Sequence, residues 1–143
     1  MLTHGNIIAL GASQARTPID IQNTDVHLSY LPLAHIMERI TLVVIIQNGA
    51  SCGFYQGDVL KLREDLSALK PTIFVSVPRL YSRFYDIMQG TFRGLTGIKG
   101  CLAKRAINAK LQALKKNGTV THCLYDKLVF KKTRAVLGGR VRL

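Results

Sequence analysis

A proline fixes the most constrained point of this chain. In Asp25-Val26-His27-Leu28-Ser29-Tyr30-Leu31-Pro32-Leu33-Ala34-His35, the run from Val26 to Leu31 has the composition of a strand. Pro32 must close it, because proline has no N–H for a ladder and drives its predecessor out of the helical region. From Ile36 to about Asn48 the chain is apolar almost all round, interrupted by Glu38-Arg39, and predicts a helix buried in a larger body. His35 falls at the corner between strand and helix. Open α/β sheets bind ligands at the ends of strands, so a titratable imidazole there is a candidate site residue.

The rest of the chain extends this alternation. Gly49, free to enter a left-handed cap, predicts the helix stop. Ser51–Tyr55 reads as a second strand and Asp58 as a cap. Val59, Leu62, Leu66 and Leu69 then mark one helical face, ended by Lys70-Pro71. Thr72–Val77 is a β-branched and aromatic run that predicts a third strand buried on both faces. Pro78 suits the first turn of a helix closed by Gly90. Upstream, Thr3 caps a predicted helix from about His4 to Arg16, stopped by Thr17-Pro18. The expected class is α/β: a partial, doubly wound, mostly parallel βαβαβ sheet with flanking helices and right-handed crossovers. Further on, the sequence predicts a basic helix from about Ile98 to Lys116, another from about Val120 to Ala135, and a strand beginning at Arg140.

Charge divides the chain unevenly. Residues 1–92 hold seven Lys/Arg and seven Asp/Glu, whereas 93–143 hold thirteen Lys/Arg and only Asp126, so the net +12 resides in the second part. That asymmetry leaves two readings open: a solvated face balanced by acidic sequence elsewhere, or a surface for an anionic partner such as lipid headgroups, coenzyme or nucleotide phosphates. Nucleic acid is disfavoured, since Phe92 and the tyrosines are not interleaved with the basic residues as a stacking platform requires. Cys52, Cys101 and Cys123 are odd in number and form no Cys-x-x-Cys pair, which fits a reduced, intracellular setting. Met1-Leu2-Thr3-His4 lacks the start of a secretory signal. The longest purely apolar run, Leu42 to Ile46, is far too short to span a bilayer. His35-x-x-Glu38 could offer two ligands on one helix face, but with no third ligand a metal site is not expected. The chain has no Gly-x-Ser-x-Gly elbow and no Walker-type phosphate loop.

Ser29-Tyr30-Leu31-Pro32-Leu33-Ala34-His35 with Glu38-Arg39 resembles the long-chain acyl-CoA synthetases of the adenylate-forming (AMP-binding) superfamily. Gly53-Phe54-Tyr55-Gln56-Gly57-Asp58, Lys70-Pro71-Thr72, Val77-Pro78-Arg79-Leu80, Cys123 to Phe130 and Leu137 to Arg142 match the same family in the same order. The resemblance implies a fragment of the large N-terminal domain of such an enzyme over 1–143, with a βαβαβ core over 1–92 and a basic, mainly helical segment over 93–143. The family activates a fatty acid with ATP and Mg2+ to an acyl-adenylate, then transfers the acyl group to coenzyme A. Positioning and charge stabilisation carry both halves. The family's ATP-contacting motifs lie outside this sequence, so the isolated chain is expected to be inactive. The alternative is a non-enzymatic basic module that binds an anionic membrane surface or another polyanion through 93–143. The resemblance also implies a peripheral place on endoplasmic reticulum or peroxisome membranes.

By the same resemblance, His35 lies beside the acyl carboxylate and the thiol's route. Ile36, with Ile40 and Val43, could wall the acyl chain or simply be core. Glu38 and Arg39 could line the channel or form a structural ion pair, with each other or with another polar group. Ser76 and Arg79 sit at the next strand-end corner, where Arg79 could meet an anion through its planar fork or stay on the surface. No catalytic residue is assigned.

Overall fold

The computed structural model describes residues 3–14, 16–17 and 19–142. Helix α1 (His4–Gln14) begins as expected, with Thr3 Oγ1 accepting from Asn6 N at 3.2 Å. Pro18, assigned to its end, lies outside the described residues. Strand β1 (Val26–Ser29) leads through the proline corner into α2 (Ile36–Gln47), and Gly49 follows its end at φ +65°. Strand β2 (Ser51–Phe54) returns parallel to β1, Val26 opposite Ser51 and Ser29 opposite Phe54. Asp58 caps a 3-10 turn over Val59–Lys61 that runs into α3 (Leu62–Leu69), where Lys70 turns left-handed at φ 51°.

The third expected strand is reduced to one parallel bridge, His27 opposite Ile73, beside β1 on the edge away from β2. Side chains take the groups a longer ladder would use. The Val77 N–H donates to the Tyr30 phenol at 3.3 Å, and the Phe74 carbonyl accepts from the Tyr81 hydroxyl at 2.8 Å. The sheet is therefore two-stranded, and the class is a helix-rich α/β fold.

Helix α4 (Pro78–Arg93) starts at its proline but passes straight through Gly90, ending at Gly94. A helical glycine only weakens a helix, and nothing stands where its Cβ would be. Helix α5 (Gly97–Asn117) buries a stripe of small residues, Gly100, Ala103 and Ala106, and leaves Leu102, Leu111 and Leu114 exposed. The helix expected over 120–135 is two short ones, α6 (Cys123–Leu128) and α7 (Lys131–Ala135). Between them Phe130 meets Phe92 edge-on at 5.9 Å and lies 4.5 Å beneath the Lys110 ammonium. Residues 140–142 form no strand, although Arg142 N donates to Thr72 O at 2.9 Å.

Leu28 of β1 and Tyr30, just past its end, join a core with Leu62, Leu66, Phe74, Leu80 and Phe84. Val136 joins that same core from the far end of the chain, and Leu137 and Val141 pack against it. Helix α2 is less enclosed than its apolar sequence implied: Val44 and Ile45 are buried, but Ile36, Met37 and Ile46 are exposed. No helix among the described residues is long and apolar enough to cross a membrane.

Candidate functional site

The other face of β1 carries His27 and Ser29, because alternate residues of a strand share a face. Both are buried, and α2 covers them. His27 Nε2 lies 3.4 Å from Glu38 Oε1, with both side chains fully buried. Glu38 thus pairs with the strand and not with Arg39. Burial works to raise the Glu38 carboxyl, but the hydrogen bond and charge of His27, helped by the Ser29 hydroxyl, outweigh it and leave the carboxyl below its usual range. Cys52, opposite His27, is pushed up by burial and by the Glu38 charge.

This pair anchors the first turn of α2, and His35 stands at that helix's start. Its Nδ1 accepts from Met37 N at 3.3 Å, so the exposed imidazole serves as an N-cap. Arg39 is also exposed, its Nε donating to Leu33 O at 2.6 Å across the proline corner. Arg79, in the first turn of α4, is exposed.

Beneath the middle of α2 runs an apolar groove of about 400 Å³. Ile40 and Val44 border it from α2, Ile19 and Ile21 from the α1–β1 connection, and Ile73 and Val75 from the extended segment after Pro71. Its polar rim is Gln14, Thr41, Ser76 and Tyr81, and among the described residues no Lys, Arg, Asp or Glu borders it. Of the expected site residues the groove takes in Ser76. His35, Ile36, Arg39, Val43 and Arg79 lie outside its lining, whereas Ile40, expected with Ile36 and Val43 as part of an acyl wall, is in it. Sequence reasoning passed over Thr41, Tyr81 and Tyr30. Tyr30 could have been found, since a buried phenol needs a hydrogen-bond partner. An uncharged, apolar groove of this kind suits an aliphatic chain and cannot balance a triphosphate. No cluster of three or more His, Cys, Asp or Glu placed to hold a metal ion occurs among the described residues.

The profile of the family described as AMP-binding enzyme matches residues 1–135. The chain belongs to the AMP-binding enzyme family. It is 46% identical over 142 residues to "Long chain acyl-CoA synthetase 7, peroxisomal" of Arabidopsis thaliana, covering 99% of this chain and 20% of that protein. To "Long-chain-fatty-acid--CoA ligase 5" of Rattus norvegicus it is 44% identical over 147 residues, covering 100% and 21%. To "Acyl-CoA ligase 891, peroxisomal" of Penicillium brevicompactum it is 40% identical over 142 residues, covering 96% and 20%. The chain thus spans about a fifth of the length of these relatives. No solved structure matches it.

Proposed function

We propose that this AMP-binding family chain forms the acyl side of an ATP-dependent, AMP-forming long-chain fatty acid–CoA ligase. The observation that carries this reading is the uncharged groove bordered by Ile40, Val44, Ile73 and Ser76, in a chain close in sequence to enzymes named as long-chain acyl-CoA synthetases. The groove would hold the fatty chain by burying apolar surface, at about 25 cal/mol per Å². His35, at the head of α2, would stand near the reacting end, with Ile36, Arg39 and Arg79 along its approach. ATP, Mg2+ and coenzyme A are substrates and cofactor of the complete enzyme. The described residues offer the groove no cation for a triphosphate, so no step through ATP is assigned to them, and the isolated chain would not catalyse the reaction. The core over 1–92 and the basic segment over 93–143 would act as one acyl-side unit. Peroxisomal placement is the compartment favoured by the names of the plant and fungal relatives.

Photolabelling tests this. A palmitate carrying a terminal diazirine, irradiated with the chain, should mark peptides containing 36–47 and 72–77, and unlabelled palmitate should compete. Labelling confined to other peptides would sink the reading. ATP–pyrophosphate exchange by the isolated chain should stay at background.

A second reading concerns the basic segment. Ile98 is 89% exposed, and Val120, Leu124 and Leu128 are also exposed among the lysines of α5 and α6. Apolar groups flanked by cations suit an anionic bilayer surface. Sedimentation with phosphatidylserine vesicles should carry the chain down at low salt and release it at high salt.

A further inference from the structure

Four polar side chains border the groove, and three direct donors to backbone carbonyls. Gln14 Nε2 donates to Ile19 O at 2.6 Å, Thr41 Oγ1 to Met37 O at 2.9 Å, and the Tyr81 hydroxyl to Phe74 O at 2.8 Å. Ser76 is arranged differently. Its Oγ lies 2.7 Å from the hydroxyl of Tyr30, a residue that is only 6% exposed.

The direction of that hydrogen bond follows from Tyr30's other partner. The Val77 N–H reaches the Tyr30 oxygen at 3.3 Å, and a backbone amide can only donate. Were the phenol also to accept from Ser76, its own proton would be left without an acceptor in a buried site, which is the costly arrangement. Tyr30 therefore donates to Ser76 Oγ. The Ser76 proton then has no acceptor among the described residues, and Ser76 borders the groove. Successive bonds of this kind polarise one another and strengthen the terminal donor.

We propose that Tyr30 is a positioning residue that holds Ser76 as an available hydroxyl donor in the groove, and that this donor receives the carbonyl oxygen of an uncharged long-chain acyl group. The proposal rests on the acyl-groove reading above. An ionised carboxylate would enter a groove whose described residues offer no cation to meet it, whereas an ester or thioester carbonyl needs only one donor.

The test is displacement of an uncharged fluorescent probe, N-phenyl-1-naphthylamine, from the full chain by methyl palmitate, palmitate and hexadecane. Methyl palmitate should bind more tightly than palmitate. Tyr30→Phe and Ser76→Ala should each weaken methyl palmitate by about fivefold, the loss of one neutral hydrogen bond, and leave hexadecane unchanged. The double variant should be no worse than either single, and Ser76→Thr should retain binding. Equal losses for methyl palmitate and hexadecane would make Tyr30 merely structural and overturn the proposal, as would no loss or a preference for palmitate. Failure of all three ligands to displace the probe from the unaltered chain would instead overturn the acyl groove itself, and the proposal with it.

Discussion

His27 and Glu38 meet with their side chains wholly shielded from solvent, imidazole Nε2 3.4 Å from carboxylate Oε1, while His27 Nδ1 has no hydrogen-bond partner among the described residues. Removing one member of such a pair strands the other. Glu38→Ala or His27→Ala should each cost about 3 kcal/mol, read from urea unfolding midpoints, whereas the apolar double variant His27→Leu/Glu38→Leu should recover most of that loss. A double variant as unstable as the sum of the singles would show that the pair stabilises more than its isosteres.

The same carboxylate sets an acid limit. Its folded value lies below the ordinary 4.5, so the stability it contributes is fully present above that value and is lost as pH falls through the lower folded one. Unfolding followed from pH 7 downward should lose this share only below about pH 4.5, and Glu38→Gln should flatten the fall.

Cysteine reactivity offers an independent probe of the buried face. Cys101 and Cys123 are exposed, whereas Cys52 is partly covered and its thiol is raised by burial and by Glu38. Only thiolate reacts. Titration with Ellman's reagent should show two fast thiols and one slow one, and Glu38→Gln should quicken the slow phase.

At the amino edge of the sheet, Asp25 is gripped by Arg142. The guanidinium Nε donates to Oδ1 at 3.0 Å, Nη2 donates to Oδ2, and Thr72 Oγ1 adds a bond to Oδ1 at 2.6 Å. The Arg142 fork, assisted by Gln22 N and Thr72 against the effect of burial, holds this carboxyl well below the usual range. Asp25→Asn should cost about 2 kcal/mol in thermal unfolding at neutral pH. The cost should shrink in acid, because the carboxylate's contribution is present above its ordinary value of 3.8 and is lost as pH falls toward its folded one.

Gly138 and Gly139 both adopt positive φ, +82° and +81°, but their surroundings differ. A Cβ at Gly138 would stand 2.4 Å from Leu66 O and 2.9 Å from Lys70 Cα, and one at Gly139 would meet nothing within 4 Å. Gly139→Ala should cost about 1 kcal/mol from backbone conformation alone, and Gly138→Ala distinctly more. Equal shifts in melting temperature would contradict the close approach.

Local chemistry made much of the fold legible in the sequence. Pro32, Asp58, Pro78 and Gly49 act on their own neighbours, and the elements they bound formed close to where expected, although β1 stops at Ser29, short of the expected Leu31. What stayed hidden depends on distant partners. Thr72–Val77 has strand composition, yet its ladder stops because Tyr30 and Tyr81 intercept its backbone groups. The break at Val129-Phe130 answers to Phe92 and Lys110 from other helices. At the site, Ser76 and Ile40 could be nominated from their corner and their helix. That Glu38 pairs with another polar group was among the expected readings, but His27 was not named as that group although alternation contained it: a strand buried on both faces must supply a partner for any histidine it carries, and Glu38 stands in the first turn of the next helix.

The Arg142 grip has a consequence for biosynthesis. Asp25 and its guanidinium partner are 117 positions apart, so a chain leaving the ribosome amino end first exposes the carboxylate long before its cation exists. Closing so long a loop is entropically slow. The Asp25 carboxylate must wait, without its guanidinium partner, until Arg142 has emerged.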